Sequence, residues 1–137
     1  AEKRRKQVQQ VTKDIIWLSI AFILILAICI LGQWCIADRT EAISSRLNPL
    51  QEAIDSENWQ AAQENYDLAR EEWQSTAKIW KVLINHDDMR DIEISFVDLH
   101  SLLQQKDKDK ARQELESLFF YLNHVSENER LNIGNIF

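Results

Sequence analysis

Glycine, proline and cysteine are scarce in this chain. Two Gly and one Pro occur among 137 residues, and β-hairpins and long loops depend on these residues. The two cysteines, Cys29 and Cys35, lie six positions apart on different faces of any helix and cannot easily form a disulfide. Leu, Ala, Glu, Gln, Lys and Arg dominate instead, and these residues favour helix. The composition therefore predicts an all-α fold that is stable without disulfides.

The negative net charge conceals a basic N-terminus. Residues 1–14 carry five Lys or Arg against two acids, a charge of +3. Since the whole chain has a net charge of −6, the remaining residues have a net charge of −9. Such an acidic body repels phosphates, which argues against a nucleic-acid partner. The basic segment 1–14 is typical of a polybasic stretch beside a membrane.

The strongest signal is an uncharged run over residues 15–37. A helix of its 23 residues is about 34 Å long, enough to cross a bilayer core of about 30 Å. Trp17 and Trp34 stand near its two ends, where indole rings favour the membrane interface. The run therefore predicts a transmembrane helix in a lipid bilayer.

Two alternatives compete with a permanent anchor. A buried soluble helix of this length with apolar residues on every face is rare. A cleaved signal peptide is the stronger competitor, because Cys35-Ile36-Ala37 has the small-x-small pattern of a cleavage site, but the run exceeds the usual 7–15 residue signal core. Lys and Arg are concentrated before the span, so the positive-inside rule predicts a cytoplasmic N-terminus and an external domain at 38–137.

Residues 38–137 contain several helix-start and turn signals. Asp38, Ser56 and Asp88 are candidate N-caps, and Ser126 to Glu129 forms a capping box for a short last helix that ends at Gly134. The first of these helices either starts at Asp38 or is continuous with the span. Asn48-Pro49 predicts a kink or a restart in it, and residues 106–108 predict a turn. The domain is thus expected to be a small antiparallel helical bundle.

Apolar spacing identifies the buried faces of the last two long helices. These faces are Met89, Ile92, Phe96, Leu99 and Leu103, and then Ala111, Leu115, Leu118, Phe119 and Leu122. Residues 50–73 also resemble residues 99–122 at an offset of 49. Two stacked helical hairpins, as in a tetratricopeptide-like array, would give this pattern, and so would any four-helix bundle.

The stretch between these elements carries a heptad of large aromatic residues. Trp59, Tyr66, Trp73 and Trp80 recur every seven residues, and Ala62, Ala69, Thr76 and Leu83 each follow three positions later. This alternation of bulky and mostly small residues is typical of helix packing, so a core role is favoured. The alternative is a groove for a partner helix or peptide. The candidate partner-binding residues are these four aromatics together with Ile136 and Phe137 of the apolar C-terminal tail, which is expected to dock on the bundle.

One acidic cluster has the composition of a metal site. His86, Asp87, Asp88 and Asp91 could contact a hard cation, although acids at a helix start are ordinary capping residues. The alternative function is therefore an extracytoplasmic ligand or cation sensor. The sequence contains no nucleophile motif and no glycine-rich phosphate loop, so we expect a non-enzymatic protein without a cofactor.

Three stretches give the chain a family resemblance. The spaced aromatics of residues 59–80, the Ile-Asn-His-Asp-Asp turn at 84–88 and the Leu-Asn-Ile-Gly-Asn-Ile-Phe end at 131–137 resemble a family of small single-span proteins of spore-forming Firmicutes. Its members are often encoded beside a larger membrane protein with a YetF-type domain. The resemblance implies a bacterial plasma or spore inner membrane, an integral membrane protein as partner, and no catalytic residues. Together with the residue patterns, it predicts a membrane-anchored interaction module that binds such a partner or itself.

Overall fold

A computed structural model of the chain describes the backbone of residues 1–134 and the side chains of residues 1–128. Every secondary-structure element in this part of the chain is a helix: α1 (Glu2–Asp55), α2 (Trp59–Leu83), α3 (His86–Gln105) and α4 (Lys108–Gly134). The all-α prediction is confirmed. The chain divides into two compact units, of which the first is Ala1–Trp34 and the second begins at Cys35 and contains the helical bundle.

The first unit consists of the N-terminal part of α1 and exposes its apolar side chains. An 18-residue stretch of α1 has a mean hydropathy of 3.0 and none of it is buried, so the helix is long and apolar enough to cross a membrane. Trp17 and Trp34, the predicted interface residues, are 71% and 78% exposed. A soluble core helix would bury such a stretch, whereas a membrane span and a signal sequence both leave it exposed within the chain.

Helix α1 continues through both of its predicted boundaries. Of the two alternatives at Asp38, a new helix start and a helix continuous with residues 15–37, the second is observed, because buried Ile36, Thr40 and Ile43 continue one face across it. The predicted restart after Asn48 is wrong, since α1 includes Pro49. Pro49 removes one helix hydrogen bond, but it lies on the exposed side of α1, where water can satisfy the freed carbonyl. Burial of Leu47 and Leu50 on the opposite side favours a continuous helix.

The two hairpin turns have the same backbone geometry. After α1, Glu57 takes a left-handed φ of 56°, and after α3, Lys106 takes one of 54°. Paired backbone bonds close both helix ends: Glu57 N to Ile54 O (3.0 Å) and Asn58 N to Ala53 O (2.9 Å), then Lys106 N to Leu103 O (3.1 Å) and Asp107 N to Leu102 O (3.2 Å). This is the Schellman arrangement. Each residue in the first set of bonds lies 49 positions before the corresponding residue in the second set. The internal repeat predicted from the sequence therefore extends to the turns.

The N-caps of α2 and α3 lie two and three residues from the predicted positions. Ser56 donates its hydroxyl back to the carbonyl of Glu52 at 2.8 Å, so it ends α1, and the Asn58 side chain caps α2 by accepting from Ala61 N at 3.2 Å. The predicted cap at Asp88 is also wrong, because Asn85 occupies that position and accepts from Asp87 N at 3.2 Å. The turn at residues 106–108 is confirmed.

The last predicted helix boundary is absent as well. Helix α4 runs without interruption from Lys108 to Gly134, so the predicted restart at Ser126 is wrong. The capping pattern at 126–129 lies inside a helix whose buried face continues through Leu122 and Val125. Ser126 therefore lies within α4 and does not cap a new helix.

The core of the second unit is made of heptad stripes, one from each helix. Their spacings alternate between three and four residues, which is the pattern of coiled-coil packing. The stripes are Ile36, Thr40, Ile43, Leu47, Leu50 and Ile54; Ala62, Tyr66, Ala69, Trp73, Thr76 and Trp80; Met89, Ile92, Phe96, Leu99 and Leu103; and Ala111, Leu115, Leu118, Leu122 and Val125. The predicted buried faces of α3 and α4 are confirmed apart from Phe119, which is half-buried.

Ion pairs between helices show which helices are neighbours around this core. Arg39 of α1 contacts Glu72 of α2 at 3.4 Å, and Arg112 of α4 contacts Asp55 of α1 at 3.5 Å. At the same end as Asp55, Lys108 contacts Glu57 at 3.5 Å. These pairs are partly exposed and contribute little stability each, but they show that α1 borders both α2 and α4.

Candidate functional site

The aromatic stripe of α2 lies inside the bundle. Tyr66, Trp73 and Trp80 are buried. The Trp73 ring lies edge-on to Trp80 at 5.8 Å between centroids and stacks with Phe96 of α3 at 6.1 Å. The Tyr66 hydroxyl donates to the Phe96 carbonyl at 2.8 Å, and burial raises the pKa of this phenol. The stripe therefore packs in the core, and contact of a partner with any of these three rings stays a prediction.

The other predicted partner-binding residues have different surroundings. Trp59, at the first position of α2, is half-buried and packs against the edge of the core. Ile136 and Phe137 lie outside the described residues. Contact of a partner with Trp59 or with the tail stays a prediction.

The acidic cluster does not converge on one point. Asp87 pairs with Arg90 on the next turn at 3.2 Å, and Asp87 and Asp88 occupy the first turn of α3. There a negative charge stabilises the helix dipole. Among the side chains of residues 1–128, no group of three or more His, Cys, Asp or Glu is arranged to hold a metal ion. His86 and Asp91 are both exposed, on either side of this turn.

A different site lies on the outer surface between α2 and α3. We call it the α2–α3 groove, and its volume is about 640 Å³, within the range of about 300–1,000 Å³ that is usual for ligand sites. The residues that line it are Arg70, Trp73, Gln74, Ala77, Lys78 and Lys81 of α2 and His86, Met89, Arg90 and Glu93 of α3. Trp73 and Met89 give it an apolar floor, whereas charged side chains form its sides.

One partly buried hydrogen-bond network orders the end of the groove nearest Arg70. The Arg70 guanidinium pairs with Glu93 across the two helices and lies 5.4 Å above the Phe96 ring. The other carboxylate oxygen of Glu93 accepts a hydrogen bond from the Trp73 indole at 2.7 Å. The hydrogen bond from Arg70, assisted by the Trp73 indole, lowers the pKa of the Glu93 carboxyl against the opposing effect of burial. Glu93 is thus a fixed anion that holds Arg70 in place.

The groove is strongly basic for an acidic protein. Four permanent cations line it against one carboxylate, Glu93, which pairs with Arg70. Arg90 pairs with Asp87, so the uncompensated charge is that of Lys78 and Lys81. Lys78 and Lys81 are exposed and make no ion pair in the described part of the chain. The Nη1 atom of Arg70 is buried and has no hydrogen-bond partner among the described residues, although a buried donor is normally satisfied. The groove can therefore offer unsatisfied N–H donors and uncompensated positive charge to an anion.

Sequence reasoning missed this groove because its residues come from two helices. Arg70 and Glu93 are 23 positions apart, and no spacing rule connects them. The usable signal is their position beside the core stripes, since Arg70 follows Ala69 and Glu93 follows Ile92. Residues that flank heptad cores face one another across neighbouring helices and commonly pair by charge. Applied to α2 and α3, that rule finds the Arg70–Glu93 pair, but the unpaired lysines give no such signal.

Comparison with known protein families gives a match over most of the chain. The model of a family described as a domain of unknown function, DUF4363, matches residues 30–136. The matched range includes the whole of α2, α3 and α4, and it contains every residue of the α2–α3 groove. No curated protein and no solved structure matches the chain.

Proposed function

This chain belongs to the DUF4363 family, and we propose that it is a membrane-anchored, non-enzymatic helical module that binds another membrane protein or a second copy of itself. The observation that carries the proposal is the contrast between the two units. The first unit exposes an apolar helical surface that water disfavours, whereas the second unit has its own buried core. The apolar surface of the first unit favours lipid over water, so the first unit would anchor the bundle to a membrane.

The proposed topology follows from the charges beside the span. Five Lys or Arg precede residue 15 and two, Arg39 and Arg46, follow shortly after residue 37. The positive-inside rule then places the N-terminus in the cytoplasm and the bundle outside. The family resemblance supports a bacterial plasma or spore inner membrane as the location. It also supports a membrane protein with a YetF-type domain as the partner.

Two features of the groove support a binding role over a catalytic one. Glu93, its only carboxylate, is ionised and already engaged by Arg70 and Trp73, so it is a poor proton donor at neutral pH. The remaining charged groups are guanidinium and ammonium groups, which bind anions. Partner contact is proposed for exposed apolar side chains, of which Phe120 on α4 is 64% exposed, together with Trp59 and the C-terminal tail.

Extraction of the native membrane in a mild detergent tests the proposal. Size-exclusion chromatography with light scattering should give a mass well above that of one 16.1 kDa chain, and mass spectrometry should identify either one integral membrane protein or this chain alone in the complex. A Phe120→Ser variant should reduce the associated mass, whereas Glu71→Ser, at another exposed position, should not. Recovery of a monomer without a companion would contradict the proposal.

A further inference from the structure

The α2–α3 groove lies toward the end of the bundle that contains the first bundle turn of α1. Arg39, in that turn, contacts Glu72 of α2. Since α1 and α2 are antiparallel within the bundle, the later residues of α2, from Lys78 to Leu83, lie toward this same end. Only four residues separate Trp34 from Arg39, and even a fully extended chain of that length reaches no more than about 18 Å. A chain anchored through residues 15–34 therefore keeps this end of the bundle near the membrane surface.

Exposed apolar side chains occupy the same end. Val82 is 86% exposed, and Ile79 and Leu83 are also exposed at the end of α2. They alternate with Lys78 and Lys81 in sequence. Apolar side chains beside lysines are the composition of surfaces that rest in the membrane interface, where the chains enter the acyl boundary and the cations meet phosphates.

We propose that the α2–α3 groove binds the phosphate of an anionic phospholipid headgroup, and that Val82 and Leu83 enter the acyl layer beside it. Lys78, Lys81 and Arg90 contact the phosphate oxygens. Arg70, held by Glu93, supplies a fixed positive charge at the other end of the groove. The inference rests on the proposed membrane anchor and adds a lipid ligand that the interaction module would bind while seated on the membrane. An acidic peptide would satisfy the charges but leave Val82 and Leu83 exposed to water.

The test measures lipid retained by the intact chain. Wild-type protein is reconstituted in nanodiscs of phosphatidylcholine and phosphatidylglycerol, moved into detergent, and the phosphatidylglycerol bound per chain is measured by native mass spectrometry. The test variant is Lys78→Gln/Lys81→Gln. Its matched control is Lys106→Gln/Lys110→Gln, which removes the same charge at the α3–α4 turn. Both variants keep the span and its lipid annulus.

The test variant should bind phosphatidylglycerol at least about tenfold more weakly than the wild type, because each lysine near an anionic surface contributes about 1 kcal/mol. The control variant should bind it as the wild type does. Equal retention by all three proteins, or an equal loss in both variants, would overturn the inference. The thermal unfolding temperature of each variant should equal that of the wild type, which shows that the bundle is intact.

Two further arms separate the sources of phosphate and the parts of the account. Inorganic phosphate added to phosphatidylcholine discs should not raise the unfolding temperature as phosphatidylglycerol does, and an equal rise would show that the ligand is free phosphate. A polarity-sensitive fluorophore on Val82→Cys, in a Cys29→Ser/Cys35→Ser background, should shift to the blue in anionic discs, whereas one on Val97→Cys should not. Identical spectra at both positions would overturn acyl-layer contact. Failure of the chain to enter discs at all would instead contradict the anchor.

Discussion

The two halves of α1 are both rich in apolar residues, but they distribute them differently. Before residue 35 the apolar side chains lie on every face and are exposed, as at Leu24 and Leu31. After it they form a single heptad stripe, and Ile43 and Leu47 on that stripe are fully buried. The comparison teaches that the distribution of apolar residues around a helix, more than their number, decides whether it packs against protein or is suited to lipid.

The largest expected effect is a difference in the free energy of unfolding when leucine is replaced by alanine in each half of α1. Leu47→Ala removes buried contacts and should lower the free energy of unfolding of the bundle by about 2–5 kcal/mol. Leu24→Ala removes only exposed contacts and should leave bundle unfolding unchanged. Urea unfolding of the detergent-solubilised chain, followed by near-UV circular dichroism of the tryptophans, measures both. A similar loss in the two variants would break the comparison.

An added arginine should affect membrane insertion when it lies in the first half of α1 and have little effect when it lies in the second half. Leu24→Arg places a guanidinium within the proposed span and should cost about 2.5–3.5 kcal/mol of membrane insertion. Ser45→Arg places the same group on the exposed side of the bundle half and should change neither insertion nor unfolding by more than about 0.5 kcal/mol. The inserted fraction can be measured by carbonate extraction. Full insertion of Leu24→Arg with loss of Ser45→Arg would reverse the assignment of the two halves.

Within the bundle, two indoles of the same stripe should differ. Trp73 donates a hydrogen bond to Glu93, whereas the buried Trp80 indole nitrogen has no partner among the described residues. Trp73→Phe leaves Glu93 short of a donor, but Trp80→Phe removes an unsatisfied one. The first substitution should therefore be the more destabilising by about 1–3 kcal/mol. Equal losses in urea unfolding would show that the hydrogen bond contributes nothing to stability.

The Arg70–Glu93 pair should make bundle stability depend on acid pH. The pKa of Glu93 is below its usual value of 4.5 in the folded chain, so the unfolded chain takes up the proton first as pH falls. The contribution of Glu93 to stability is complete above pH 4.5 and disappears as pH falls through the lowered value. Glu93→Gln should flatten the dependence of the unfolding temperature on pH in that range. An unchanged slope would mean that the pair is not formed, and Glu64→Gln, on the exposed side of α2, is the control.

The smallest effect should come from the two hairpin turns. Glu57 and Lys106 hold left-handed backbone conformations that cost an ordinary residue about 1–2 kcal/mol. Glycine adopts this conformation freely, at some entropic cost in the unfolded chain. Glu57→Gly and Lys106→Gly should therefore each stabilise the bundle by about 0.5–1 kcal/mol in thermal unfolding. Destabilisation by both would contradict the turn geometry.

Periodicity predicted the helices and the core, because three-and-four spacing depends only on which side chains must leave water. The stripes through Phe96 and Leu118 were readable for that reason. Capping residues predicted boundaries poorly: Asp38 and Ser126 carry the right chemistry, but both lie inside continuous helices. At Asp38 the buried face continues on both sides of the candidate cap. Propensity for a cap is worth about 1 kcal/mol, and burial on both sides exceeds it.

The groove was harder to predict from the sequence, for a different reason. Positions beside the core stripes indicate the Arg70–Glu93 pair, but the two residues meet only when α2 and α3 pack in a particular register. No spacing rule shows that Lys78 makes no ion pair with the acids of α3. The aromatic stripe gave the opposite result, since its regularity identified a core and also suggested a binding surface. The Trp73 ring packs against Phe96 in the core and also lines the α2–α3 groove, and a role of the stripe in binding a partner stays a prediction.

The central claim, a permanent span with an external bundle, can be tested by cysteine labelling in intact cells. In a Cys29→Ser/Cys35→Ser background, Ser101→Cys reports on the exposed surface of α3 and Lys3→Cys on the basic segment. A membrane-impermeant maleimide should label Ser101→Cys in intact cells and Lys3→Cys only after permeabilisation, with both proteins in the membrane fraction. Labelling of Lys3→Cys alone in intact cells, or release of the chain without residues 1–37, would contradict the claim.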